Sequence, residues 1–297
     1  MAAIVNVNGR IVPEREATIS VFDHGFLYGE GVYEVLRTYR GKPFLLDRHL
    51  GRLERSAGAI ALPLPLDRLA FGARIAETIA AIPVERPGES EYYLRVILTR
   101  GVGDMGYDPA LCPEPTLLII AKELTGPPEW YFERGVPLAL VSIVRNHPGT
   151  VNPLIKSNNL LNNALAMQEA LRKGAVEALM RNYRGEIAEC SQSNVFLVND
   201  GRLVTPPLGA GLLAGITREF LFEVAPDAGL SIEERTIREP DLYAADEVFI
   251  TGTTFEVTPV VEIDGRRIGG GTPGPTARRL LEAYRVRALA TVERAHS

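Results

Sequence analysis

Three stretches of this chain carry residue types that could do chemistry together. Lys156 lies in Asn152-Pro153-Leu154-Ile155-Lys156-Ser157-Asn158-Asn159, just ahead of a helix-like run from Leu160 to Arg172. Glu189 lies in Ala188-Glu189-Cys190-Ser191-Gln192-Ser193-Asn194-Val195-Phe196, and Leu213-Ala214-Gly215-Ile216-Thr217-Arg218 comes after it. A lysine amine can form a Schiff base with an aldehyde. A carboxylate can keep a pyridine nitrogen protonated, so that the ring accepts electrons from a carbanion. A helix opening such as Gly215-Ile216-Thr217 presents N–H groups to a phosphate. Together these are the requirements of a pyridoxal phosphate site.

The scarcity of lysine narrows the choice of amine. The chain has Lys42, Lys122, Lys156 and Lys173 among 32 basic residues. Lys42 follows Arg40-Gly41 in an apparent hairpin turn, and Lys122 ends an apolar run and reads as solvated. Lys173 precedes Gly174 at a helix C-terminus, where a cation suits the dipole. Lys156 has no such structural duty, although a plain surface-loop lysine explains its local context equally well.

The elements that must position these residues are short and mixed. Ile4 to Val7 and Arg10 to Val12 flank Asn8-Gly9 as a hairpin. Val32 to Tyr39 and Pro43 to Leu46 flank Arg40-Gly41 as a second. Asp47 is placed to cap a helix through Leu50, Leu53, Ala57 and Ile60, and Leu66 to Ile82 reads as another. Tyr92 to Thr99 and Thr116 to Ala121 are strand-like. Thr125-Gly126-Pro127-Pro128-Glu129 breaks the periodicity, which predicts a domain over 1–124, a linker over 125–131 and a second domain over 132–297. Beyond it, strands over Val136 to Ile143, Val176 to Met180, Val195 to Val198, Arg202 to Thr205, Glu247 to Thr251 and Glu256 to Ile263 alternate with helices. The helices are Asn158 to Arg172, Thr217 to Ala228 and Pro275 to Val292. Without a regular βαβ rhythm, the pattern predicts an α+β fold.

Composition sets the outer limits. The chain has 297 residues, 46% hydrophobic and 23% charged, as in ordinary globular proteins. A net charge of −5 gives no reason to expect nucleic acid or an acidic membrane as partner. No stretch approaches a membrane span, and the start Met1-Ala2-Ala3-Ile4-Val5-Asn6 does not read as a signal peptide. Two cysteines, Cys112 and Cys190, make no disulfide framework, so a cytoplasmic location is expected. His24, His49, His147 and His296 lack metal-ligand spacing, and no metal site is expected.

Three elements in all suit an anion. Beside Gly215-Ile216-Thr217 stands Gly252-Thr253-Thr254, where small and hydroxyl residues allow close backbone approach. Arg52 falls on the helix after Asp47, where on its own it reads as a solvated arginine. In this order, the motifs identify a family. The long run from Glu189 through Asn194-Val195-Phe196 and Leu203-Val204-Thr205 to Arg218 resembles the signature of the class IV, fold-type IV pyridoxal phosphate aminotransferases. Asp23-His24-Gly25-Phe26-Leu27-Tyr28-Gly29-Glu30-Gly31-Val32-Tyr33-Glu34, His49-Leu50-Gly51-Arg52-Leu53 and Gly252-Thr253-Thr254-Phe255-Glu256-Val257-Thr258-Pro259-Val260 match its other landmarks. The resemblance implies a small N-terminal α/β domain and a larger C-terminal pseudo-barrel. It implies Lys156 as the Schiff-base lysine and Glu189 as partner of the pyridine nitrogen. It implies Arg52, Gly215, Ile216, Thr217 and Thr253 around the phosphate, and Leu213 against the ring. A homodimer or larger homo-oligomer is also implied, with Tyr28 and the loop Gly103-Asp104-Met105-Gly106-Tyr107 reaching the neighbour's pocket.

The residues expected to meet substrate are Tyr28, Tyr33, Tyr93, Arg95, Tyr107, Thr253 and Thr254. Tyr93-Leu94-Arg95, followed by Gly101-Val102-Gly103-Asp104, is similar to the branched-chain branch, where the arginine receives the side-chain carboxylate of glutamate. The Arg-x-His of typical D-amino-acid enzymes is missing after Thr99-Arg100-Gly101. Tyr33, Leu160 and Thr254 resemble the D-amino-acid enzymes instead. The expected activity is amino transfer between an L-branched-chain amino acid and 2-oxoglutarate. The alternatives are a D-amino-acid aminotransferase with (R)-amine activity, or an aminodeoxychorismate lyase.

Overall fold

Alternation of buried and half-buried residues along three neighbouring strands sets the first unit. The computed structural model describes residues 3–83 and 90–294, so Met1-Ala2 and His296 lie outside the described residues. The first unit takes the chain up to Thr125, together with Ile155–Asn159 and the chain end from Thr291. Its antiparallel sheet has the order Arg10–Pro13, Ile4–Val7, Thr116–Glu123, Tyr92–Thr99, Gly31–Tyr39 and Lys42–Pro43. The first hairpin turns on Asn8 and Gly9, both at positive φ, as a tight two-residue connection requires.

One face of this sheet carries Val32, Leu36, Leu94, Val96, Leu98 and Ile119, which pack against the helices Leu46–Ala59 and Arg68–Ala80. The intervening residues, Tyr33, Val35, Tyr93, Arg95, Ile97 and Ile120, lie on the other, half-buried face. In register, Tyr33 opposes Ile97, Val35 opposes Arg95, and Arg95 opposes Ile120.

The second unit holds Gly126–Leu154 and Leu160–Ala290. Its nine-stranded mixed sheet runs Ile232–Glu234, Arg202–Thr205, Asn194–Asn199, Glu247–Gly252, Glu256–Ile263, Val136–Leu140, Glu177–Arg181 and Ile187–Cys190, with Arg266–Arg267 off Glu256–Ile263. The sheet curls into a half-barrel around one apolar cluster with contributions from Val204 at one end to Ile187 and Cys190 at the other. Helix Leu161–Arg172 packs its Ala166 and Ala170 on Ala139, Ala178 and Met180. The architecture is α+β.

Several expected boundaries move for physical reasons. Asp47 is not the cap of its helix: Leu45, at φ 52, precedes Leu46–Ala59, and Asp47 sits within the first turn. The helix expected from Asn158 begins at Leu161, because Asn158 N–H donates to the Gly31 carbonyl and the Lys156 carbonyl accepts from Tyr33 N–H, which holds this stretch against strand Gly31–Tyr39. The helix expected over Thr217 to Ala228 is Ile216–Val224 followed by a 3-10 turn, where Pro226 lacks an N–H to donate. The expected linker 125–131 runs into a short helix, Trp130–Arg134, whose Tyr131 packs on the half-barrel core.

Leu94 has no exposed surface and touches the centre of the first unit's core. Leu94→Ala should cost about 2–5 kcal/mol. Urea unfolding should show this as a lower midpoint at unchanged slope.

Candidate active site

In the first unit the geometry grows from a buried carboxylate. Glu34 lies on the inner face of strand Gly31–Tyr39 and is 1% exposed. Arg52 donates to it through both Nε and Nη2, each at 2.7 Å, and His49 Nδ1 lies 2.7 Å from Oε2. His49 and Arg52 are three residues apart on helix Leu46–Ala59, so one helical face delivers both. Burial alone would push the Glu34 carboxyl up. The charge of Arg52 and the hydrogen bonds from Arg52 and His49 outweigh burial and hold it at about 2. Burial pushes His49 below the usual histidine range, against the pull of Glu34.

On the other face of the same strand stands Tyr33. Lys156 Nζ lies 4.5 Å from the centre of its ring and Arg95 Cζ lies 4.2 Å from it. The structure thus brings three of the expected residues together, two of them cations bound to one aromatic ring. No carboxylate among the described residues pairs with Arg95 or Lys156. Val35, Ile97 and Ile120 line the same face beside Arg95. Tyr93 lies one row further along, under Lys122 at 5.3 Å. Tyr28 and Tyr107 form a separate pair with rings 5.1 Å apart, and Tyr28 Oη accepts from Gly106 N–H at 3.1 Å.

In the second unit the geometry grows from Glu189, 5% exposed on strand Ile187–Cys190. Arg145 Nε donates to its Oε1 at 2.8 Å. Asn194 Nδ2 and the Leu213 N–H donate to Oε2 at 3.2 and 3.1 Å. Asn194 also donates to the Leu213 carbonyl at 3.1 Å, so Leu213 is fastened to the carboxylate from two sides. Helix Ile216–Val224 starts at Gly215 without a side-chain cap, which leaves its first-turn N–H groups without an intrahelical acceptor. A Cβ on Gly215 would lie 2.0 Å from Asn194 Oδ1, so only glycine allows this approach. Thr253 and Thr254 occupy the turn between Glu247–Gly252 and Glu256–Ile263, half-buried.

This donor set fits the expected cofactor in kind. A buried carboxylate with fixed orientation suits a ring nitrogen, an uncapped nine-residue helix start suits a phosphate, and a lysine without an acid partner suits an aldehyde. Sequence reasoning missed Glu34, His49, Arg145 and Asn194 as supports. The first two have a signal, alternation along a strand and an i,i+3 pair on a helix. Arg145 has none, since it lies in an irregular segment 44 residues from Glu189.

The family model for amino-transferase class IV matches residues 31–263. The chain belongs to the class IV aminotransferases. It is 38% identical over 281 residues to a protein of Methanocaldococcus jannaschii provisionally named a branched-chain-amino-acid aminotransferase, covering 95% of each chain. It is also 36% identical over 280 residues to a D-alanine aminotransferase of Listeria innocua, covering 93% of each. A crystal structure of a branched-chain amino acid aminotransferase (T.th.) with pyridoxamine 5'-phosphate superposes with a TM-score of 0.89 at 34% identity. That superposition covers 98% of this chain and 94% of the other. Among the described residues no helix of this aminotransferase is long and apolar enough to cross a membrane.

The Glu34 cluster makes a prediction for this aminotransferase. A carboxyl held low in the folded chain stabilises above its unfolded value of 4.5, and that contribution is lost as pH falls through about 2. Glu34→Gln should lose about 3–5 kcal/mol at neutral pH, because Arg52 is left buried without its partner. Denaturant unfolding of both proteins should show the gap closing as pH drops below 4.5.

Proposed function

We propose that this class IV aminotransferase moves an amino group between an L-branched-chain amino acid and 2-oxoglutarate, using pyridoxal 5'-phosphate. The observation that carries the reading is Arg95, without an acid partner among the described residues and seated with Lys156 on the ring of Tyr33. A guanidinium so placed can receive a second carboxylate, which glutamate and 2-oxoglutarate have and leucine lacks. Val35, Ile97 and Ile120 around it offer apolar contact to a branched side chain. One site face can therefore serve both substrates in turn.

When bound, the cofactor supplies an aldehyde that captures amines and a ring that accepts electrons from the substrate Cα. Lys156 holds the cofactor and moves the proton at Cα. The ring of Tyr33 lies beside Nζ, 4.5 Å away at its centre, and borders the amine on that side. Glu189 holds the proton at the ring nitrogen, with Arg145 fixing its orientation. Arg52, Gly215, Ile216, Thr217 and Thr253 would hold the phosphate, and Leu213 would face the ring. Tyr28, Tyr93, Tyr107 and Thr254 border the substrate.

The working unit is proposed as a homodimer. Phe22, Phe26, Met105 and Tyr107 are 51%, 65%, 74% and 86% exposed, an apolar patch that a second copy would cover. A cytoplasmic location is part of the proposal, and Cys112 and Cys190 are both free thiols. One observation favours a second reading. Tyr33, Leu160 and Thr254 resemble D-amino-acid enzymes, and a D-alanine aminotransferase is among the relatives. Activity on D-amino acids or (R)-amines is therefore the alternative.

Lys156→Ala should abolish turnover and the visible band that borohydride traps; a variant retaining both would remove Lys156 from the mechanism. Arg95→Leu should lower kcat/KM for glutamate about tenfold or more, a loss of about 1.4 kcal/mol, and leave leucine nearly unchanged. Half-reaction rates with L-leucine, D-alanine, D-glutamate and an (R)-amine decide between the readings. A much faster D-amino acid replaces the branched-chain assignment. Sedimentation showing a fully active monomer would overturn the dimer.

A further inference from the structure

The backbone of Lys156 is held at both of its polar groups. Ser157 N–H donates to the Ile155 carbonyl at 2.8 Å, which closes a three-residue turn with Lys156 at its apex. Residues flanking the apex join strand Gly31–Tyr39: Asn158 N–H donates to the Gly31 carbonyl at 2.9 Å, and Ser157 bridges Val32. The apex itself has two backbone groups, and both are taken. Tyr33 N–H donates to the Lys156 carbonyl at 2.9 Å, and Lys156 N–H donates to Ser56 Oγ at 3.1 Å.

Ser56 is the one contact in this set that a side chain makes. It is 2% exposed on helix Leu46–Ala59, four residues after Arg52 and seven after His49. Its neighbours Leu53 and Ala57 are core residues, so a hydroxyl there must find a polar partner. The Lys156 amide is that partner. The same helical face thus carries Arg52, fixed through Glu34, and the acceptor for the lysine's backbone.

We propose that Ser56 is a positioning residue for the Lys156 amine. Resting on the assignment of Lys156 as the cofactor-bearing lysine, the inference adds what aims it. With Ser56 Oγ in place, the apex is pinned at both N–H and C=O and projects Nζ over the Tyr33 ring. Without it, the apex can pivot on the Tyr33 bond. A pivot of about ten degrees carries Nζ through about 1 Å, and a misplacement of that size costs up to about a hundredfold in rate.

The test compares wild type, Ser56→Ala and Ser56→Thr, each loaded with pyridoxal phosphate. Borohydride reduction and peptide mapping come first. If wild type is not labelled at Lys156, the assignment of the lysine fails, and the inference falls for that separate reason. With labelling established, Ser56→Ala should still be labelled but should lose roughly ten- to hundredfold in single-turnover rate with L-glutamate. Its substrate affinity should change little, and the pH midpoint of its visible band should move by about half a unit or more, since the amine sees a different surrounding. Ser56→Thr, which keeps the hydroxyl, should recover most of the rate and the midpoint. A Ser56→Ala protein with wild-type rate and midpoint overturns the proposal, as does one whose rate falls with the midpoint unmoved. Should Ser56→Ala fail to fold, hydrogen exchange at the Lys156 amide of the unmodified protein decides. Slow exchange supports the bond to Ser56, and exchange as fast as in an open loop overturns it.

Discussion

A carboxylate taken out of water must be paired, and in the first unit Glu34 imposes that constraint on everything around it. It ionises in the core because Arg52 supplies a guanidinium of matching geometry with two bonds of 2.7 Å, with His49 beside it. The pairing fixes helix Leu46–Ala59 against strand Gly31–Tyr39 in rotation and register, because His49 and Arg52 must both reach one side chain. Once that helix is fixed, Ser56 comes to the Lys156 amide. Once the strand is fixed, its pleat turns Tyr33 to the opposite face. One step along the strand separates the residue that anchors from the residue that meets Lys156 and Arg95.

The second unit handles two buried carboxylates differently. Glu189 has Arg145 as an ionic partner. Glu177, with no exposed surface, accepts instead from Ser191 and Ser193 hydroxyls and from the N–H groups of Ala178 and Gln192. Burial pushes its carboxyl above the usual range, and these bonds only partly offset that. The contrast sorts their duties. Glu177 ties down the turn 191–193 that lies between Glu189 and Asn194. Glu189 is paired with a cation and with the two N–H donors that fix its orientation.

Much of this is legible in the sequence, and the remainder has identifiable causes. Motifs that form one local element, such as Gly215-Ile216-Thr217 at a helix start, carry their own geometry and are found where expected. Alternation places Tyr33 and Arg95 on one face of adjoining strands. What escapes depends on distant contact. The stretch 155–159 reads as the lead into a helix, yet it belongs with the first unit, because hydrogen bonds tie it to residues a hundred or more positions earlier. Nothing local to Arg145 announces Glu189. Asp47 before a helical run reads as a cap, but Leu45 in a left-handed conformation starts the helix, and the acidic residue serves the first turn instead.

The same distinction explains why the reaction class is easier to read than the substrate. Glu34, Arg52, Glu189 and Arg145 each satisfy a buried partner, so replacing one carries a folding cost as well as a chemical one. Tyr33, Arg95 and Ile97 stand on a half-buried face and take no part in such buried ion pairs. Their side chains can change without opening a cavity or stranding a charge. Relatives named for branched-chain and for D-alanine substrates accordingly stand at 38% and 36% identity, almost equally far from this chain. Overall similarity at that level reflects the scaffold. Discrimination between substrates has to come from side chains that the scaffold does not tie down, and under the proposed function Arg95 is such a side chain, able to pair with a second carboxylate.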